Sequence, residues 1–64
     1  MPTITLEGPA LTREQKKELI KGFTEVAVKA MPNIPNQAFV VIIKENPNDN
    51  VGVGGKMVSD IHKS

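Results

Sequence analysis

The sequence predicts an α+β fold in which one helix joins two parallel strands and a short hairpin follows at the C-terminal end. Residues 3–7 alternate between polar and apolar, residues 13–31 carry apolar side chains at helical spacing, and residues 38–43 are continuously apolar. A crossover long enough to contain a helix joins parallel strands, and it is right-handed. We therefore expect a β-α-β protomer, and we treat residues 1–64 as a single domain.

The first predicted strand is half apolar and rich in β-branched residues, which favour extended structure. Gly8 and Pro9 follow it and end it, because both residue types interrupt strands. The strand consists of Thr3, Ile4, Thr5, Leu6 and Glu7.

A capping box marks the start of the predicted helix. Thr12 is followed three residues later by Gln15, so the hydroxyl and the amide can each satisfy a free backbone N–H. The helix should begin at Arg13 and end at Met31, because Pro32 disfavours helical geometry in the residue before it. Its apolar face consists of Leu19, Ile20, Phe23, Val26, Ala27, Ala30 and Met31.

The second half of the chain alternates turns with short extended segments. Residues 33–37 read as a connection, and residues 38–43 as a strand buried on both faces. Residues 46–50 are a turn cluster of Asn, Pro and Asp, and the glycine-rich residues 51–55 predict a short strand or hairpin arm. Residues 56–64 are polar apart from Met57, Val58 and Ile61.

The second strand predicts that copies of the chain associate. It places Phe39, Val41 and Ile43 on one side of the sheet, and Val40 and Ile42 on the other. One helix can cover only one side, and a two-stranded sheet with an apolar side in water would be unstable and sticky. We therefore expect a homo-oligomer in which sheets of different subunits pack together.

Composition points to the same conclusion and excludes other sources of stability. A domain of 64 residues buries only about 60% of the surface of its unfolded chain. The chain has no Cys, so it has neither disulfides nor thiolate metal sites, and a lone His62 near the terminus is a poor metal anchor. Self-association is the remaining means of stabilisation, and no metal or organic cofactor is implied.

Charge and hydropathy exclude two classes of partner. A net charge of +1 with neither Trp nor Tyr argues against nucleic-acid binding, which needs a basic surface and stacking aromatics. No apolar run approaches the ~20 residues of a membrane span, and no basic segment leads into an apolar one at the start. We expect a soluble, cytoplasmic protein.

Pro2 is the candidate catalytic residue. Removal of Met1 would leave a secondary amine at the N-terminus. An ordinary α-amino group has a pKa of about 7.7–8.0, a free proline amine is more basic, and desolvation or neighbouring cations can tune such an amine towards neutral pH. Proline is also common at position 2 of proteins that do not use it in catalysis. This residue alone therefore does not show whether the N-terminal amine is catalytic or only a product of Met removal.

Several short features in order resemble the 4-oxalocrotonate tautomerase family. They are Pro2 behind the initiator Met, a strand ending in Glu-Gly, a Glu-Gln-Lys at the helix start, a Val-Ile-Ile strand and a Gly-x-Gly-Gly turn at residues 52–55. The resemblance covers nearly the whole chain. It implies a β-α-β protomer that pairs into dimers and forms a hexamer, with Pro2 as the base that moves a proton between an enol oxygen and a carbon.

The substrate-binding positions depart from the family pattern. Where the best-studied members have an arginine before the helix cap, an arginine in the second strand and a phenylalanine before the glycine turn, this chain has Leu11, Val40 and Val51. Arginine binds carboxylates with a fixed fork of donors and stabilises a developing oxyanion, which an aliphatic side chain cannot do. Arg13 or Lys44 could supply a cation instead, although either could equally be a solvated surface charge.

Two functions remain open from the sequence. The first is an isomerase that catalyses enol–keto proton transfer on 2-hydroxy-dienoate or phenylenolpyruvate-like substrates, with a preference for apolar or aromatic groups over dicarboxylates. The second is a non-catalytic or weakly promiscuous oligomeric protein that keeps the fold. A pocket in front of Pro2 would favour the enzyme, whereas Phe39 or Lys44 filling that space would favour the second reading.

Overall fold

The first strand and the helix have nearly the predicted bounds. In a computed structural model that describes residues 1–61, β1 spans Thr3–Gly8 and α1 spans Arg13–Ala30. The capping box is present: the Gln15 N–H donates to Thr12 Oγ1 at 3.1 Å, and the Thr12 N–H donates to Gln15 Oε1 at 2.9 Å. The prediction placed the helix end one residue later, at Met31, which is instead the C-cap.

The second strand, β2, spans Val40–Glu45 and so begins and ends two residues later than predicted. Residues Asn36–Ala38 form a 3-10 turn, closed by the Ala38 N–H on Pro35 O at 2.9 Å and the Phe39 N–H on Asn36 O at 3.2 Å. This turn uses backbone groups that strand pairing would need. At the other end, pairing with β1 carries the strand through Lys44 and Glu45, beyond the last apolar residue.

β1 and β2 form the predicted parallel pair, with a register that runs from Thr3 opposite Val40 to Gly8 opposite Glu45. Because side chains alternate between faces along a strand, the pairing sorts them into two sets. One side carries Ile4, Leu6, Val41 and Ile43, none of which is exposed, and packs towards α1. The other, which we call the open face, carries Thr3, Thr5, Glu7, Val40, Ile42 and Lys44.

The protomer is thin, and few of its side chains are buried. Among residues 1–61, only Ala27 and Phe39 are buried, and Ile42 on the open face is 41% exposed. The accessible surface is 5159 Å², whereas a folded monomer of 6.9 kDa has about 4,000 Å². The radius of gyration is 15.3 Å, against about 11 Å for a compact chain of this length. The excess surface supports the prediction that the chain folds as part of an assembly.

The C-terminal hairpin is confirmed. β3 (Gly52–Val53) pairs antiparallel with β4 (Lys56–Met57), and Gly54 and Gly55 make the turn with φ of 61° and 83°, which favour glycine. α2 (Val58–Ile61) follows directly, and these elements contact one another and the Asn48–Asn50 turn.

We call residues 48–61 the arm. Three of its apolar side chains are exposed to solvent: Val53 is 62% exposed, Met57 44% and Ile61 48%. β4 and α2 lie beyond the elements predicted from the sequence, which end at residue 55. His62 lies outside the described residues. Within residues 1–61, no helix is long and apolar enough to cross a membrane.

Candidate active site

Pro2 lies at the amino end of the sheet, directly before β1. Its carbonyl oxygen accepts the Val40 N–H at 3.0 Å, which fixes the backbone of position 2 against the start of β2. Pro2 is half-buried, whereas Met1 is 90% exposed. Pro2 and Val40, two of the predicted site residues, are therefore neighbours within one protomer.

A cleft lies at the opposite end of the sheet, and we call it the strand-end cleft. Its volume is about 460 Å³, within the range of small-molecule sites. It opens between the ends of the parallel strands and the base of the arm, where the Val58 N–H donates to Val51 O at 2.8 Å. The lining residues are Glu7, Gly8, Pro9, Asn46, Asn48, Val51 and Val58.

Asn46, which follows β2, forms two hydrogen bonds with the end of β1 at the strand-end cleft. Its backbone N–H donates to Gly8 O at 2.8 Å, and its side-chain Nδ2 donates to Glu7 Oε2 at 3.0 Å. The Glu7 carboxylate therefore has a fixed hydrogen-bond partner at the cleft. The lining contains this one acidic residue and neither Lys nor Arg.

Glu45 holds the segment before the helix in place. Its Oε2 accepts the Leu11 N–H at 2.8 Å, and its Oε1 accepts Lys16 Nζ at 2.8 Å. The ion pair is at the surface, with the Lys16 and Glu45 side chains 36% and 35% exposed. The hydrogen bond from Lys16, together with that from Leu11, holds the pKa of the Glu45 carboxyl below its ordinary value.

This lowered pKa predicts an acid-sensitive contribution to stability. A carboxyl whose pKa is lowered by folding stabilises the fold above its unfolded pKa, and the contribution is lost as the pH falls through the folded pKa. We expect wild type to melt at a higher temperature than Glu45→Gln near pH 7, and the difference to shrink towards about pH 3. Thermal unfolding followed by circular dichroism at a series of pH values measures it. A difference that stays constant with pH would contradict this assignment.

The predicted site residues fall into two groups at opposite ends of the sheet. Leu11 lies beside Glu45, Lys44 is opposite Glu7 in the register, and Val51 lines the strand-end cleft. Pro2 and Val40 lie at the other end, and Pro2 is about 20 Å from Gly8, because each of the six steps between them advances about 3.3 Å. One protomer therefore does not bring Pro2 and Val51 together.

The two candidate cations lie outside the lining of the strand-end cleft. Arg13 begins α1 and faces a shallow groove that it shares with Lys16, Lys17 and Ile20. Lys44 extends from the open face. Within the protomer, Lys44 does not occupy the space in front of Pro2, because it is at the far end of β2. The buried Phe39 does not occupy that space either, because it is on the helix side of the sheet.

Sequence reasoning did not single out several residues of the strand-end cleft, namely Glu7, Pro9, Asn46, Asn48 and Val58. A signal for most of them was present. The carboxyl ends of parallel strands meet at one edge, and in open α/β sheets ligands bind at that edge. Glu7-Gly8-Pro9 and Asn46-Pro47-Asn48 each follow or end a predicted strand, so their proximity was predictable.

Comparison with known proteins agrees with the resemblance seen in the sequence. The family described as tautomerase enzyme matches residues 2–61. Probable tautomerase K2 of Dickeya dadantii is 44% identical over 57 residues, which are 89% of this chain and 81% of that protein.

Solved structures share the fold. The crystal structure of DmpI from Helicobacter pylori has a TM-score of 0.80 at 35% identity, and the match covers 92% of this chain and 98% of that one. A 4-oxalocrotonate tautomerase from Chloroflexus aurantiacus, described as a heterohexamer, has a TM-score of 0.83 at 25% identity, and the match covers 97% of this chain and all of that one. The β-α-β fold and the family resemblance are thereby confirmed.

Proposed function

The chain belongs to the tautomerase enzyme family, and we propose that it is an isomerase in which Pro2, freed of Met1, moves a proton between an enol oxygen and a carbon atom. The observation that carries the proposal is the placement of Pro2. It begins the segment matched by the family, its backbone is fixed by Val40, and the residue that would block its nitrogen is 90% exposed.

The chemistry needs a neutral amine. The lone pair of the Pro2 nitrogen takes the proton of the enol hydroxyl and becomes an ammonium group, electron density shifts towards the distal carbon, and the ammonium returns the proton to that carbon. The nitrogen ends as it began, so the cycle consumes nothing. While Met1 is attached, the nitrogen is an amide without a basic lone pair, and the step cannot occur.

A complete site requires a second copy of the chain. Pro2 and Val40 lie about 20 Å from Val51 and Leu11, which is too far for one small substrate. The open face and the exposed arm leave apolar surface for association, so the strand-end cleft of one subunit can meet Pro2 of another. The heterohexamer from Chloroflexus aurantiacus supports a six-subunit assembly, and we propose a homohexamer for this chain.

The proposed substrate is less anionic than a dicarboxylate. The lining of the strand-end cleft combines Gly8, Pro9, Val51 and Val58 with the neutral polar residues Asn46 and Asn48, and it has one carboxylate, Glu7, and no cation. Leu11 and Val40 stand where the resemblance implies arginines, so two carboxylates would find no fixed donors there. A substrate with one carboxylate and an apolar or aromatic group, such as phenylenolpyruvate, suits this lining. Arg13 or Lys44 of an adjoining subunit is the candidate partner for the single carboxylate.

The rate of enol-to-keto conversion tests the proposal. Protein whose mass confirms the loss of Met1 is assayed with 2-hydroxymuconate and with phenylenolpyruvate, and each rate is compared with buffer. We expect both to exceed buffer, and kcat/KM to be higher for phenylenolpyruvate. Rates equal to buffer with both substrates, or an intact mass that retains Met1 in protein from its native host, would count against the enzyme.

Restoring one arginine should change the substrate preference. In Val40→Arg, a guanidinium beside Pro2 can pair with the second carboxylate of 2-hydroxymuconate. A hydrogen bond to a charged group contributes about 1.5–3 kcal/mol, so kcat/KM for this substrate should rise about 10-fold to 150-fold. Steady-state kinetics on both substrates measures it.

Val40→Met is the matched control, since it adds length without charge and should not produce this gain. An equal gain in both variants would show that the space, and not the charge, at position 40 limits the reaction.

The missing arginines also favour a second candidate, an assembly protein that keeps the fold without the chemistry. This protein would bind neither substrate, and its assembly would be unaffected by loss of the N-terminal amine. The same assay separates the two, because only the enzyme shows a rate that depends on Pro2.

A further inference from the structure

We propose that Glu45 is a positioning residue that fixes the loop between β1 and α1, and thereby one wall of the strand-end cleft. The inference rests on the proposed function, since it assumes that this cleft takes substrate. It assigns a role to a residue that does not itself line the cleft.

Both carboxylate oxygens of Glu45 are engaged by different elements. Oε2 accepts the backbone N–H of Leu11, and Oε1 accepts Lys16 Nζ, both at 2.8 Å. Glu45 is the last residue of β2, Leu11 lies in the loop, and Lys16 is in the first turns of α1. One side chain therefore joins the strand, the loop and the helix.

The two ends of the loop are held by consecutive residues of the chain. At its start, Gly8 lies opposite Glu45 in the sheet register, and Gly8 O accepts the Asn46 N–H at 2.8 Å. Near its end, the Leu11 N–H is bound by the Glu45 side chain. Only Pro9 and Ala10 lie between these anchors, and Pro9 lines the strand-end cleft. A shift of the Leu11 anchor therefore moves Pro9 and changes the width of the cleft.

The hydrogen bond from Lys16 to Glu45 Oε1 orients the carboxylate towards Leu11. Lys16 is itself fixed in the first turn, since its N–H donates to Thr12 O at 3.0 Å. Its ammonium group holds Oε1, which leaves Oε2 aimed at Leu11. A carboxylate suits this task because it accepts at two oxygens, and hydrogen bonds to an ionised acceptor are stronger than neutral ones.

Loss of the Glu45 contacts should affect substrate binding more than proton transfer. The wall formed by Pro9 touches the body of a substrate and not the proton that moves, so its displacement weakens ground state and transition state alike and raises KM. Glu45→Met keeps the length of the side chain but removes both acceptors. We expect KM to rise by up to about tenfold with kcat nearly unchanged, since only the part of the lost hydrogen-bond energy that displaces Pro9 affects substrate binding.

The test combines kinetics with amide hydrogen exchange in the assembled, Met-free protein. Glu45→Met should raise KM for phenylenolpyruvate and accelerate exchange of the Leu11 amide. Glu45→Gln keeps one acceptor oxygen and loses the second, so both properties should lie between those of wild type and Glu45→Met. Glu18→Gln, an exposed change elsewhere on α1, is the control for loss of a carboxylate. If Glu45→Met does not fold, Glu45→Asp, one methylene too short to reach both partners, should show the same rise in KM.

Two failures are distinguishable. A wild-type rate that depends on Pro2, with KM unchanged in Glu45→Met, overturns the positioning role alone, as does an equal rise in KM for Glu45→Met and Glu45→Gln. A wild-type rate no greater than that of Pro2→Ala overturns the proposed function, and the positioning role with it.

Discussion

Pro2→Ala should lower the enol-to-keto rate by about 10²–10⁴-fold, the usual contribution of a positioned acid–base group. The variant keeps an N-terminal amine after Met1 is removed, but this amine is primary, less basic and no longer held in a ring. Its backbone hydrogen bond can persist, because the bond uses the carbonyl oxygen of position 2 and the Val40 N–H. The expected loss is therefore chemical and not structural.

The measurement is kcat/KM on phenylenolpyruvate, with subunit assembly and melting temperature compared between wild type and variant. Pro32→Ala, in the turn after α1, is the matched control, since it removes a proline without altering the N-terminus. Equal rates for Pro2→Ala and wild type would show that the proline ring is not required, and protein that retains Met1 would then decide whether the N-terminal amine is the base.

Protein that retains Met1 provides an independent comparison. It has every side chain of the active form, but the nitrogen of Pro2 is an amide. We expect its activity to match Pro2→Ala or to lie below it, since it has no amine at this position at all. Full activity in a sample shown by mass to retain Met1 would contradict the assignment of Pro2 as base.

The sequence predicted the parts of the fold that local patterns encode. Alternation in residues 3–7 gave β1, and the pair Thr12 and Gln15 gave the helix start, because each pattern reflects contacts within a few residues. The two-residue offset of β2 arose from the 3-10 turn at Asn36–Ala38, which has no comparable signature. β3 and β4 have two residues each, too few for a periodicity to be recognised.

The candidate site was less predictable, because its parts are distant in sequence. Lys16 and Glu45 are 29 residues apart, and only the parallel register brings the end of β2 to the start of α1. From the sequence alone, Lys16 lies at the edge of the apolar helical face, where a lysine ordinarily extends its ammonium group to water. Its partner became evident only once the strands were paired. The same holds for the hydrogen bond from Asn46 to Glu7, across 39 residues.

Ile42→Lys should dissociate the assembly and abolish activity while Pro2 remains intact. Ile42 lies in the middle of the open face and is 41% exposed in the protomer, where we propose that another subunit covers it. An ammonium group placed there would lose its hydration on association, which opposes assembly in every subunit at once. Since Pro2 and Val51 lie about 20 Å apart in one chain, separated subunits hold only halves of a site.

Light scattering after size exclusion gives the mass of the particle, and the phenylenolpyruvate assay on the same fractions gives its activity. Glu25→Lys, which adds the same side chain at an exposed position of α1, should keep both. A dissociated Ile42→Lys protein that remained fully active would show that a single chain forms the complete site. An assembled, active Ile42→Lys protein would show that the subunits do not meet at the open face. Association would then depend on the arm, and Val53 and Met57 would be the next residues to substitute.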